Sequence, residues 1–242
     1  FDLASGQPAW PGVAADGGAM IQPVFDHPWL TLDLGRDMRV ISWAPHRPGI
    51  VTARHILWRE VRNADLTEDF DVFPWLAQEC RQRGMQEAVA MLTSRKIATF
   101  SVATSKVDGV EAQAVATVGL SNAERAAPVL DQPRQLHSSY GTINVAVILH
   151  HAINDTGLIE AQSIASAART AAVLESGAMA PSGPATGTGT DCIAVAAPAG
   201  QDAFCGLHTA QGKAIAAAVY AAVREGADQW IAETGGMPYD LG

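Results

Sequence analysis

The segment Thr142–Leu149 (TINVAVIL) constrains this chain most. Eight residues carry no charge and five are β-branched, between Gly141 and His150. Alternation of polar and apolar residues is missing, so neither face of such a strand meets water. A run of this kind belongs at the centre of a sheet covered on both sides. The next segments of the chain supply the cover. Asn154 or Asp155 can cap a helix in which Leu158, Ala161, Ile164/Ala165, Ala168 and Ala171/Ala172 recur every three or four residues, ending near Gly177. A Gly/Thr/Pro loop spans Ala178–Thr190, Cys192–Ala197 reads as a second buried strand, and Thr209–Glu225 reads as another helix, closed by Gly226. Alanine dominates this half, with 25 of the 44 alanines after Val145, so the helices can approach the sheet closely.

The first half reads as strands. Trp29–Asp33 and Met38–Trp43 look like a hairpin joined by Gly35-Arg36-Asp37, and His55–Val61 as a further strand. Asn63–Asp71 is an acidic loop, and Phe73–Arg83 a helix with Pro74 near its start and Gly84 after its end. Ala88–Leu92, Ile97–Thr104 and Ala112–Gly119 are strand candidates, the last two joined by the turn signal Asp108-Gly109. Ala126–Ser139 is a polar loop. The order implies an α/β fold, a layered sheet-and-helix sandwich in a single domain. The expected organisation is an irregular N-terminal leader over residues 1–27, the domain over 28–235 and a C-terminal tail over 236–242.

Several functions are excluded at this level. The formal net charge is −9 and no Lys/Arg cluster is dense enough to track phosphates, so nucleic acid is not an expected partner. The longest apolar run, Ala214–Val223, is too short for a bilayer, which takes about 20 residues. No signal peptide is visible, and three cysteines (Cys80, Cys192, Cys205) without a CxxC pair suit a reduced, cytoplasmic setting. No metal site is expected: His150 and His151 are adjacent and point to opposite faces of a strand, and neither HxH nor HExxH occurs.

Three motifs carry chemistry. Ala185–Asp191 (ATGTGTD) alternates hydroxyls with glycines just before a buried strand. The glycines let backbone approach a ligand, Thr186, Thr188 and Thr190 offer donors and acceptors, and Asp191 offers a charge. Gly141-Thr142-Ile143-Asn144 opens the central strand and places an amide at the sheet edge, where it can hold a carbonyl in the manner of an oxyanion donor. Gly119–Arg125 (GLSNAER) is a polar turn with Ser121 and Asn122, and it is not a GxSxG elbow. His46 and His208, each beside a predicted element end, are candidate bases. Each motif also has a purely structural reading, as a turn, a cap or a core hydrogen bond.

In this order, Met91–Ser94 (MLTS), Val118–Arg125 (VGLSNAER), Gly141–Val145 (GTINV), Ala185–Asp191 (ATGTGTD) and Gly206–Ile215 (GLHTAQGKAI), with the weaker Ser42–Gly49, resemble the adenosylcobinamide amidohydrolase (CbiZ-type) family, over roughly residues 38–230. The resemblance implies hydrolysis of the amide that joins the aminopropanol arm to the corrin ring, yielding adenosylcobyric acid for coenzyme B12 salvage. It implies no cofactor beyond the cobalt of the corrinoid substrate, and it leaves a homodimer open. The residues expected to carry the reaction are Asp191 and His208 for acid/base work and Asn144 for the oxyanion. Thr142, Thr186, Thr188, Thr190, Asn122, Ser121 and His46 are expected to contact substrate. The chain departs from the family at Arg47-Pro48-Gly49, where Gly-Gly is usual, and at Ala167-Ala168-Arg169, where an acidic residue followed by Ala-Lys is common. Two alternatives therefore stay open: a corrinoid-binding protein without hydrolase activity, and an amidase of the same fold acting on another cofactor-like amide. A second similarity, between GTIN–helix–TGTGTD and DmpA-type aminopeptidases, implies an αββα sandwich.

Overall fold

The computed structural model describes residues 20–62, 70–126 and 141–236. In chain order the elements are β1 (Val24–Asp26), β2 (Trp29–Ser42), β3 (Gly49–Glu60), α1 (Val72–Gln82), β4 (Val89–Thr93), β5 (Ser101–Val107), β6 (Val110–Val118), β7 (Ala123–Glu124), β8 (Ile143–Leu149), α2 (Asp155–Glu175), β9 (Met179–Ala180), β10 (Gly183–Pro184), β11 (Gly187–Thr188), β12 (Cys192–Ala197) and α3 (Ala210–Thr234). Eight strands form one mixed sheet in the order β4-β3-β2-β12-β8-β6-β5, with β1 added to β2. β8 and β12 run parallel, as a strand–helix–strand crossover requires, and β8 is buried along its whole length.

That one sheet makes two layers. Strand β2 is fourteen residues long; its Met38–Ser42 half lies between β3 and β12, whereas its Trp29–Asp33 half pairs only with β3 and β1. A register shift between Asp33 and Met38 marks the bend. The β2-β3-β4 end then turns back over the β12-β8-β6 end. Alternate residues therefore face two different cores. Val145, Val147, Ile193 and Val195 pack under the alanines of α2 and α3, whereas Ala146, Ile148, Ala194 and Val115 pack against Leu30, Leu32, Ile56, Trp58 and Met91 of the folded-back half. Leu57 and Ala90, on the outer face of that half, meet Leu76 and Cys80 of α1. The sequence from outside to outside is helix, sheet, sheet, helices: a layered sheet-and-helix sandwich, as the residues lead one to expect, in the αββα order that the second similarity implies and achieved with one continuous sheet.

Several local expectations are corrected. Trp29–Asp33 and Met38–Trp43 are not a hairpin but one bulged strand. Gly35 takes φ 74°, its N–H donates to Asp33 Oδ1 at 2.9 Å, and both halves continue on the same neighbour. Ile97–Thr99 is a 3₁₀ turn leading into β5 rather than its first residues. Gly226 does not close the last helix; α3 runs on to Thr234, and Gly226 is buried where a Cβ would come within 2.7 Å of Val118 Cγ2. It is a contact glycine, not a stop. Val24–Asp26, inside the expected leader, forms β1 against Trp29–Thr31. The acidic loop at Asn63–Asp71 and the polar loop at Ala126–Ser139 lie largely outside the described residues, as do most of the leader and the tail. Among the described residues, no helix is long and apolar enough to cross a membrane.

Candidate functional site

The parallel pair β8 and β12 begins at one edge of the sandwich, where antiparallel β6 and β2 end. The three motifs meet there, and Asp191 joins two of them to each other. Its Oδ1 accepts from the Ile143 backbone N–H at 3.1 Å, and its Oδ2 accepts from the Thr188 N–H at 3.0 Å. The Thr188 hydroxyl also donates to Oδ1, and Arg169 on α2 donates to Oδ2 in an ion pair. The Asp191 side chain is only 7% exposed and that of Arg169 16%. One carboxylate thus ties together the start of β8, the Gly/Thr loop and α2.

Backbone without side chains makes this possible. A Cβ on Gly187 would sit 2.5 Å from Asp191 Oδ2 and collide with Arg169 Nη1. A Cβ on Gly141 would sit 2.6 Å from the Ser121 nitrogen. The glycines of ATGTGTD and GTIN are required by close approach. The loop is also sewn to the GLSNAER turn: β11 pairs with β7, Gly189 N–H donates to the Asn122 carbonyl at 3.2 Å, and Ala126 N–H donates to Thr186 Oγ1 at 2.8 Å. Thr142 Oγ1 donates to the Thr190 carbonyl at 2.7 Å.

Beneath this rim lies a buried polar end of the inner core. Asn144 is fully buried, and its Nδ2 donates to the Leu92 carbonyl on β4 at 2.6 Å, joining the two halves of the folded sheet. Thr117 on β6 is its partner in register, and Ser42, Thr93, Ser94 and Arg95 are buried as well. Arg95 Nη1 donates to Glu233 Oε2 near the end of α3 at 2.6 Å. Burial, with Asp191 beside it, pushes the Cys192 thiol up to about 12. Asn144 therefore stands behind the rim as a tie, while Ser121, Asn122, Thr188, Gly189 and Thr190 stand at its surface.

Two expected participants are elsewhere. His208 lies after the C-terminal end of β12 and Asp191 before its N-terminal end, so about 20 Å of strand separates them. The loop of His208 serves other ends: Cys205 N–H donates to Glu160 at 2.6 Å, and Thr209 caps α3. His46 is nearer, but its backbone bridges Ala90 and its Nε2 is 3.1 Å from the Gln86 carbonyl. Sequence reasoning missed two residues. Arg169 holds Asp191, and the signal was the family's Ala-Lys position, which it occupies. Trp43 donates through Nε1 to the Asp191 carbonyl at 2.6 Å and remains 46% exposed at the rim. Ala167, where the family often has an acid, is exposed on α2, so its lack of a carboxylate takes nothing from the Asp191 cluster.

A model of the adenosylcobinamide amidohydrolase (CbiZ) family matches residues 14–235, nearly the whole chain. No curated protein matches significantly.

Proposed function

Because the chain belongs to the adenosylcobinamide amidohydrolase family, we propose that it hydrolyses the amide joining the aminopropanol arm to the corrin ring of adenosylcobinamide, releasing aminopropanol and adenosylcobyric acid. The observation that carries the reading is the meeting of three stretches far apart in sequence: Asp191 bonds Ile143 of Gly141–Asn144 to Thr188 of its own loop, and Gly189 of that loop bonds the Asn122 carbonyl of Gly119–Asn122.

Hydrolysis of an amide adds water to the carbonyl and expels an amine that must take up a proton. The site has to offer hydrogen-bond donors to the developing oxyanion and a group that passes the proton. The rim hydroxyls and amides of Ser121, Asn122, Thr188 and Thr190 have the chemistry for contacts to the scissile group. Asp191 accepts the Thr188 hydroxyl hydrogen bond and so orients that oxygen. With four donors on its two oxygens, Asp191 is best suited to hold the loop and polarise Thr188, and Asn144 to fix the strand ends behind it. The exposed Trp43 ring, held by its N–H, suits contact with the flat macrocycle. In this reading the product returns to cobamide synthesis, and the corrinoid's cobalt is part of the substrate.

The test is incubation with adenosylcobinamide and detection of adenosylcobyric acid and aminopropanol by mass. Turnover is expected in the wild type and is expected to fall at least a hundredfold in Asp191→Asn. Absence of both products from the folded wild type would refute the proposal.

A further inference from the structure

Helix α2 turns an uncharged face to solvent. Its outward stripe is Ile159, Ser163, Ser166, Ala167, Thr170 and Leu174, which fall within about 100° of one another around the helix. Ile159 is 57% exposed and Leu174 42%. The four charged residues of α2 stand off this stripe, each engaged elsewhere: Asp155 with Arg39 on β2, Glu160 with the Cys205 N–H, Arg169 with Asp191, and Glu175 with the Tyr220 hydroxyl on α3. The Ser166 and Thr170 hydroxyls donate back to the Gln162 and Ser166 carbonyls at 2.9 and 3.0 Å, so both residues present their aliphatic parts. The outer face of a solvated helix ordinarily carries its charges. Here the charges are drawn to the flanks, and two large apolar side chains stand in the open.

We propose that this face packs against the same face of a second copy of the chain, the two α2 helices running antiparallel about a two-fold axis. The order of the stripe selects a second copy over a foreign partner. It reads alike in both directions about a point between Ser166 and Ala167: Ile159 opposes Leu174 of the second copy, Ser163 opposes Thr170, and Ser166 opposes Ala167. A closed two-fold interface demands such self-complementarity, and a foreign helix does not. The small central residues admit close approach, and a large apolar pair closes each end. Charge permits the contact as well. Each chain carries a formal −9, yet the stripe brings no like charges together. The exposed Phe204 and Leu207 lie in the loop held to Glu160 at one end of α2, and the exposed Met179 follows its other end. They lengthen the apolar face from the roughly 31 Å of the helix to about 40 Å. At about 12 Å across, two copies bury roughly 1,000 Å², the lower bound for a specific interface, so the dimer is expected to be weak and concentration-dependent. The stripe lies on the side of α2 away from the sheet, apart from the Asp191 rim, so the proposal does not depend on the corrinoid reading.

The experiment is sedimentation equilibrium of the full chain from about 5 to 200 μM, with Ala167→Glu and Ile159→Glu as variants. Both sites are exposed and glutamate suits a helix, so the fold is expected to survive, and circular dichroism verifies it. The wild type is expected to approach twice the 25.4 kDa of one chain as concentration rises. Ala167→Glu sets two carboxylates beside the axis and Ile159→Glu places one against each Leu174; each is expected to weaken association at least tenfold. A cross-link fixes the arrangement, because the three native cysteines are buried. Under mild oxidation a mixture of Ser163→Cys and Thr170→Cys chains is expected to join 163 to 170 in preference to 163 to 163. A wild type that stays monomeric at 200 μM overturns the proposal, and so does a dimer that both folded variants leave intact. A monomer in which an Ala167→Cys thiol resists labelling overturns it too, since the chain's own residues then cover the stripe. Preferential joining of 163 to 163 refutes the antiparallel two-fold.

Discussion

Replacing Asp191 by Asn changes one charge and almost no volume, and it isolates what the carboxylate does. The Asn oxygen can still accept from the Ile143 N–H and the Thr188 hydroxyl, but the amide end cannot accept from the Thr188 N–H or Arg169. Arg169 is then left with a charge in a setting where its side chain is 16% exposed and its Nε already has no hydrogen-bond partner among the described residues. Breaking a buried pair by removing one partner costs about 3–5 kcal/mol. The partial exposure of the Arg169 side chain favours the lower end, about 3 kcal/mol. For a chain of this size each kcal/mol shifts the melting temperature by about 2–4 °C, so a fall of about 6–12 °C is expected. Urea denaturation of Asp191→Asn, Arg169→Met and the double variant measures the same interaction as a coupling energy, expected at about 1.5 kcal/mol or more. A loss below about 1 kcal/mol in Asp191→Asn, or single-variant losses that simply add, would refute the view of Asp191 as the joint between β8, α2 and the loop.

Three further outcomes are expected from the packing. Asn144→Ala removes the bond to the Leu92 carbonyl inside a fully buried core; a stability loss of about 1–3 kcal/mol in urea is expected, and a neutral effect would mean that the sheet halves do not depend on this tie. Gly226→Ala places a methyl 2.7 Å from Val118 Cγ2 and should cost about 1–3 kcal/mol through overpacking, against the gain that alanine ordinarily brings to a helix interior; calorimetry that finds the variant more stable would refute the contact role. Burial, with a neighbouring carboxylate in each case, raises the thiols of Cys80 and Cys205 to about 11 and that of Cys192 to about 12, from an ordinary 9.0. A raised folded-state value means that the neutral thiols contribute their full stability below about pH 9 and lose it progressively as pH rises toward 11–12. An aromatic disulfide reagent at pH 8 should therefore find no accessible thiol in the native protein and three in denaturant.

Much of this architecture was legible because burial leaves a period in the sequence. The unbroken apolar run of β8 and the alanine stripes of α2 and α3 follow directly from two-sided cover and close helix contact, and both matched the structure. The bulge in β2 was not legible. Gly35-Arg36-Asp37 is as good a turn as a bulge, and only pairing of both flanks with the same strand decides between them. Gly226 misled for a related reason: a glycine after an apolar helical stretch reads as a cap, whereas here it is needed by a side chain on β6 more than a hundred residues away. The site was half legible. The motifs named most of the residues that meet at this rim, but Trp43 reaches Asp191 from the end of β2 through tertiary packing that leaves no local signal, and the one pointer to Arg169 was the family's Ala-Lys position. His208 was drawn in by its place in a motif, and strand direction puts it at the other end of β12.

The folded sheet also bears on where chemistry can occur. A flat sheet of this order would leave β4 and β8 well apart; bending at β2 brings the Leu92 carbonyl onto Asn144 and closes the inner core with a polar plug. That plug is buried and bonded across both halves of the sheet, so a bulky substrate cannot enter between the layers. The groups proposed above to meet substrate are those that the plug holds outward: the Gly/Thr loop, the Ser121–Asn122 turn and the Trp43 ring. A rim suits a corrin macrocycle, which is too large for a closed pocket and presents its amide arm at its edge. Rigidity of the rim then depends on the buried bonds beneath it, so substitutions at Arg169 or Asn144, which do not need to touch substrate, are expected to lower turnover along with stability.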